Sequence, residues 1–325
     1  MRLSTLFVTI TTIVILTACS DDMNEAQRKH RSSGVSAVDT TAYEVDKGAA
    51  FKDGKNVVIG SFKIGFLQEK KDVPIKTVSD KDGKKLAIAA PGDVKLTGVD
   101  GALMQRITDA AYADFTARLK KKGYAVTDRN ALLKNRDFAH ANKQTSPVRK
   151  EASLFGSDST ITYVAPSAHG NLYFVGESGE SGGFGFSNPQ VAAINYAEET
   201  KTQVLFVSYQ LDFTDKEGSQ KVSILPGNGI RMIGGKGDTF NTANGTILLG
   251  QPIFSDASCG EVIDKTADGK QAKSSLSLLK AVLGGGTEKT RAFEMKANPV
   301  KYQAVSVKLL ADANEKLASK MTSLR

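Results

Sequence analysis

Residues 101–126 read GALMQRITDAAYADFTARLKKKGYAV, and the architecture hangs on how this stretch folds. Leu103, Ile107, Ala110-Ala111, Phe115 and Leu119 recur at steps of three and four, the spacing that places apolar side chains on one face of a helix. The helix is expected from about Gly101 to Lys122. Asp100 stands where an N-cap belongs and Gly123 at the C′ position, while Lys120-Lys121-Lys122 complements the negative end of the helix dipole. Tyr124-Ala125-Val126 follows at once as a short strand. Upstream, Val57-Val58-Ile59 and the alternation Phe62, Ile64, Phe66 predict another strand over Asn56 to Phe66. The unit is therefore strand, helix, strand, with the helix lying across a sheet.

Beyond this unit, Glu69 opens a charged stretch to Lys85, and Asp82-Gly83 near its end predicts a turn. Ala131 to Asn142 reads as a shorter helix stopped by Ser146-Pro147. The middle of the chain is β-rich. Strands are expected over Thr160 to Val164, Asn171 to Val175, Gln203 to Thr214, Lys221 to Leu225, Thr246 to Leu249 and Glu261 to Ile263. In Gln203 to Thr214 the odd positions from Leu205 to Phe213 are apolar and the intervening Ser208, Gln210 and Asp212 polar, which predicts one buried face, with Lys221 to Leu225 returning beside it. Tyr302, Val305, Leu309, Ala313, Leu317 and Met321 make a last helix from about Pro299 to Leu324, with proline tolerated at its start. The expected class is α+β: a mixed or antiparallel sheet packed by a long amphipathic helix (about 101–122) and a C-terminal helix (about 299–324).

The N-terminus carries the most specific functional signal. Arg2 precedes an apolar run, Leu6 to Leu16, that is too short for a hydrocarbon core of about 30 Å and ends on small residues, as a secretory signal peptide does. Leu16-Thr17-Ala18-Cys19 resembles the lipobox of bacterial lipoproteins, which implies cleavage before Cys19 and diacylglycerol on its thiol. Acyl chains contribute about 0.8 kcal/mol per buried CH₂, so two or three of them hold a protein at a membrane. Ser20 rather than Asp after Cys19 implies the periplasmic face of the outer membrane, with inner-membrane retention as the alternative. The expected organisation is a signal peptide over 1–18, a polar lipid tether over 19–52, and a single α+β domain with a β-rich middle over 53–325.

Charge and chemistry motifs narrow the function. Loss of residues 1–18 removes one arginine and lowers the net charge from +8 to +7, a moderate excess without a basic stripe interleaved with aromatics. Nucleic acid is therefore not an expected partner; phospholipid headgroups, lipopolysaccharide phosphates or acidic cell-wall polymers are the obvious anionic ones for an exported protein, but a basic surface with no dedicated partner is the expectation. With Cys19 acylated, Cys259 has no partner in the chain and is expected to be buried as a small hydrophobe. GESGESGGFG (176–185) lacks the Gly-Lys-Ser/Thr ending of a phosphate loop, and Gly227 to Asp238 and Gly284-Gly285-Gly286 read as a loop and a hinge. His30, His140 and His169 have no metal-ligand spacing. His169 near Ser167 could suggest a base and nucleophile, but a turn histidine is the expectation, and carboxylates such as Asp212 and Asp215 are expected in turns or on solvated faces. No catalytic, cofactor or metal site is expected; the one site residue is the lipidated Cys19.

Gly123-Tyr124-Ala125-Val126 with Asp128-Arg129, the Thr214 to Gly218 turn and the C-terminal helix together resemble the α+β domain of curli-secretion (CsgG-like) envelope lipoproteins over about half the chain. That family shows a helix, a V-x-x-R segment and a D-x-x-x-G turn, matched approximately by Val126 to Arg129 and Asp215 to Gly218. The resemblance implies a non-enzymatic role in the cell envelope. Two expectations follow: a lipid-anchored protein that binds an envelope protein or cell-wall polymer, or a homo-oligomeric subunit of an outer-membrane secretion pore or ring.

Overall fold

A computed structural model describes residues 42–52, 54–79, 85–154, 157–175, 187–214, 221–234, 244–265 and 291–325. The order of elements is β1 (Tyr43–Asp46), a 3-10 turn (Gly48–Phe51), β2 (Asn56–Ser79), β3 (Lys85–Thr97), α1 (Gly101–Lys121), β4 (Ala125–Thr127), α2 (Arg129–Leu133) and α3 (Arg136–Ala139). Then come β5 (Gln144–Thr145), β6 (Val148–Leu154), β7 (Ser157–Val164), β8 (Asn171–Leu172), α4 (Pro189–Thr200), β9 (Gln203–Asp212), β10 (Lys221–Ile224), β11 (Gly229–Ile233), β12 (Asn244–Leu249), β13 (Ile253–Ser258), β14 (Gly260–Asp264), β15 (Arg291–Ala297) and α5 (Pro299–Ser323). The class is α+β, with a mixed sheet.

The centre of the sheet is β2. Residues Val57 to Phe66 pair in parallel with Gln203 to Leu211 of β9, and Ile64 to Lys70 pair antiparallel with β7. Outward from β9 lie β11, β12 and β1, all antiparallel; outward from β7 lies β6. Strand β4 returns parallel to the start of β2, so the strand–helix–strand unit read from residues 101–126 is present. Asp100 caps α1 as expected, its carboxylate accepting from the Leu103 amide at 2.7 Å. Gly123, at φ +83°, takes the left-handed conformation that lets the chain leave the helix.

The pleat sends alternate side chains of β2 and β9 to two cores. Val57, Ile59, Phe62, Ile64 and Phe66 join Leu205, Val207, Tyr209 and Leu211 against α1 and α5, where Phe115, Leu119, Leu309, Leu310 and Leu317 complete the layer. On the other face Val58, Val204 and Phe206 pack with Leu132, Phe138, Ala192, Ala193 and Tyr196 from α2, α3 and α4. Burying a side chain such as Phe115 is worth about 2–3 kcal/mol, so the two cores, not local propensity, hold the helices in place.

Several expectations change. Strand β9 is buried on both faces through its first half, because α4 covers Val204 and Phe206. Helix α4 is absent from the expected elements, although Asn188 capping Gln190 and Pro189 at the first helical position carry its signature. The helix expected over 131–142 is two short ones. Asn135 interrupts it by accepting from the amides of Asp137 and Phe138, which starts a new helix. The expected loop 227–238 contains β11, whose near-complete burial hides any alternation. Of the strand expected over 171–175, only Asn171–Leu172 pairs, with β5. The tether expected to reach 52 ends earlier: Tyr43 to Asp46 pair with β12, and Ala50 and Phe51 are buried in the core. The segments 80–83, 176–185, 215–218 and 284–286, and Cys19 with the rest of residues 1–41, lie outside the described residues.

Candidate functional site

Two places depart from plain packing. The first is the end of the sheet. Strand β2 runs for 24 residues, far beyond its pairing with β9. From Glu69 to Ser79 its partner is β3, antiparallel, and β3 in turn pairs in parallel with β15. Strands β14 and β15 are themselves antiparallel, and Ile263 of β14 bridges Ser79 of β2. Two hairpin ladders therefore lie together at this end. The register shifts between Lys70 and Val73, where Asp72 takes φ +54°, so β2 bends as it leaves the body. An ion pair marks the bend: Lys70 Nζ lies 2.7 Å from Asp212 Oδ2 and donates also to Thr214 Oγ1 at 3.1 Å. Both partners are largely buried, which corrects the expectation of a solvated Asp212. The outer charges, Lys71 with Asp158 and Lys95 with Glu69, are exposed and contribute little.

The second place is a polar cluster under the segment Pro166–Val175. This segment follows β7 and crosses the face of β2 that carries Gly60 and Lys63. Its carbonyls are held by cations: Lys63 Nζ donates to Tyr173 O at 3.2 Å, and Arg129 Nη1 to His169 O at 3.4 Å. Arg129, in the first turn of α2, also sends Nε to Gly60 O at 3.1 Å. Gly60 itself is closely packed, since a Cβ there would meet Val204 at 2.7 Å and Leu132 at 3.3 Å. The turn is fastened outside by Asp109, which accepts from the Ser167 amide and hydroxyl, both at 2.7 Å. Inside it, the His169 ring stands edge-on to Tyr112, with centroids 4.7 Å apart, and Arg129 lies over the Tyr173 ring at 5.7 Å.

Three buried nitrogens of the cluster have unmet hydrogen bonding. Arg129 and His169 are 8% and 6% exposed. Arg129 Nη2 and both ring nitrogens of His169 have no hydrogen-bond partner among the described residues, and no carboxylate there pairs with the guanidinium. Burial, reinforced by the Arg129 charge, pushes the His169 imidazole down to about 3, so the ring is neutral at ordinary pH. Burial also lowers Arg129 and raises the phenols of Tyr112 and Tyr173.

The residues that the sequence singles out are placed as follows. His169 does sit in a turn, and Ser167 donates to Asp109 rather than to it. His140 is exposed. Cys259 is fully buried, as expected, and burial pushes its thiol up to about 11, so it is protonated and unreactive. Among the described residues no three His, Cys, Asp or Glu side chains gather as metal ligands, and no helix is long and apolar enough to cross a membrane. Arg129 enters the sequence reading only as the last residue of a V-x-x-R resemblance; its place directly after an N-cap aspartate is the signal that could have marked it. No protein family, no curated protein and no solved structure matches the chain.

Proposed function

We propose that the protein is a non-enzymatic cell-envelope lipoprotein, anchored through lipid on Cys19 to the periplasmic face of the outer membrane, whose folded body binds an envelope protein or cell-wall polymer. The observation that carries this reading is Leu16-Thr17-Ala18-Cys19 at the end of a short apolar run. The fold is compatible with a body that works at a surface, since bonds such as Ser167 to Asp109 and Tyr209 to Asn314 fasten its turns and helices and the buried Cys259 thiol is protonated. The test is fractionation with mass analysis. Wild type should sediment with membranes and carry diacylglycerol on an N-terminal Cys19, and Cys19→Ala should move to the soluble fraction. Recovery of unmodified Cys19 from the membrane would sink the proposal.

A second reading, a subunit of an outer-membrane secretion pore or ring, is favoured by the paired hairpins at the end of the sheet. The ladder of Glu69–Ser79 with Lys85–Lys95 is as long as a barrel strand, which needs about 9–11 residues. It ranks second because β3 and β15 pair in parallel, whereas membrane barrels are antiparallel throughout. Particle mass in mild detergent separates the two: a ring of many copies supports the pore, and a monomer or dimer excludes it.

A further inference from the structure

The buried Arg129–His169 cluster is not accounted for by either reading above, and what it can bind is independent of them. A guanidinium presents five N–H groups in a fixed fork and, when buried, is ordinarily matched by a carboxylate. Here two of its nitrogens spend their bonds on the carbonyls of Gly60 and His169, which carry no charge, and Nη2 has none among the described residues. Beside it stands an imidazole with one N–H donor to give and no acceptor for it among the described residues. Buried polar groups are satisfied in the great majority of proteins, and a cluster of them left open is filled by water, an ion or a ligand.

We infer that Arg129 and His169 form a binding site for a single carboxylate group, closed over by the turn Pro166–Gly170. The donor count sets the ligand class. One guanidinium nitrogen and one imidazole N–H can serve the two oxygens of a carboxylate, and the single guanidinium charge is balanced by a monoanion. A phosphate dianion would bring more charge and more acceptor oxygens than these groups match. The rings of Tyr112 and Tyr173 beside the cluster offer apolar surface to the carbon attached to that carboxylate. The outer residues of the turn, Ser167, Ala168 and Gly170, are exposed, and entry requires release of its fastenings, the Asp109–Ser167 contact and the Ser146 amide donating to Gly170 O at 3.0 Å.

The carboxylate can belong to a free small acid or to the end of a partner chain, and the experiment separates these. The full chain is titrated with acetate, N-acetylalanine and N-acetylalanine amide at constant ionic strength, with phosphate and chloride in parallel. The readouts are calorimetry and the imidazole carbon–proton signals of its three histidines. The His169 signal, identified by its absence in His169→Gln, should shift saturably with a carboxylate and not with the amide. Affinity should fall about tenfold or more in Arg129→Met, since a charge-assisted hydrogen bond is lost. Binding of acetate alone identifies a free acid, whereas binding of N-acetylalanine as well identifies a chain terminus. The inference is overturned if no carboxylate shifts the His169 signal, if phosphate and chloride shift it equally, or if Arg129→Met responds as wild type does. Should Arg129→Met fail to fold, the wild-type signal and the affinity of His169→Gln, expected to drop by several-fold, decide the matter.

Discussion

Two polar clusters are buried against the sheet, and their hydrogen bonding differs. Between α1 and α5, Asn314 is fully buried and every bond it can reach is made: it accepts from the Tyr209 hydroxyl at 2.8 Å and donates to Ala111 O at 3.0 Å and Asp114 Oδ2 at 2.9 Å. Asp114 passes the chain on to Arg118, which with Lys122 also holds Glu315 of α5. Under the Pro166–Val175 segment, Arg129 and His169 are almost as deeply buried and leave three nitrogens unbonded among the described residues. A closed network fixes the register of two helices, and its worth is structural. An open one costs free energy for each nitrogen left unbonded, beyond the carbonyls it fastens, and that cost is what a ligand could recover.

The largest effect is expected in the closed network. Asn314→Leu leaves the Tyr209 hydroxyl buried and unsatisfied and removes a donor from Asp114, which should cost about 3 kcal/mol in urea denaturation. Adding Tyr209→Phe should return part of that loss, because an apolar pair replaces an orphaned polar group. Additive losses would show that the network does not act as a unit.

Next comes the bend of β2. Lys70→Met strips Asp212 of its cation at a site only 7% exposed, and breaking such a pair leaves an uncompensated charge. Lys70 itself keeps some contact with water, so a loss of about 2 kcal/mol is expected. The same loss should be absent from Lys71→Met, whose partner Asp158 is solvated.

The open cluster predicts a pH dependence that begins at higher pH than that of the closed one. The His169 ring titrates near 6.5 when the chain is unfolded and near 3 when it is folded, so between these values the unfolded chain binds the extra proton. Stability from this group is complete above the unfolded value. It falls as pH drops through the window, by about 1.4 kcal/mol per pH unit in its middle. His169→Gln should flatten that slope between about pH 6.5 and 4.5. Below this, loss of Glu315, held down to about 2 by Lys122, adds a separate decline in both proteins. An unchanged slope in His169→Gln would mean that water or the Arg129 neighbourhood accommodates the charged ring.

What the sequence makes legible divides along the same line. Helices α1 and α5 are legible because each presents one apolar face to one core, so a 3.6-residue period survives in the sequence. Strand β2 is legible over Asn56 to Phe66, but Lys70 and Asp72 beyond it give no sign that the same strand bends and pairs anew with β3. Helix α4 and strand β11 escape notice because neighbours cover them on more than one side, which erases periodicity. The cluster is least legible of all. Lys63, Tyr112, Arg129 and His169 are spread over more than a hundred positions and come from four separate segments, so no spacing relates them, and only the crossing of the Pro166–Val175 segment brings them together.

The smallest expected effect is the most telling for the comparison. Arg129→Met keeps an unbranched apolar stem but removes the guanidinium that lies over Tyr173, a buried charge that no carboxylate among the described residues balances. The loss of bonds to Gly60 O and His169 O works against folding, and relief from desolvating the guanidinium works for it. These terms oppose each other, so stability at neutral pH should stay within about 1 kcal/mol of wild type, against the larger loss in Asn314→Leu. The same substitution should reduce the His169 pH slope, since the charge that helps to keep the ring neutral is gone. A loss above about 2 kcal/mol would place Arg129 with Asn314 among the groups that hold the fold, and the contrast between the two clusters would then be one of degree.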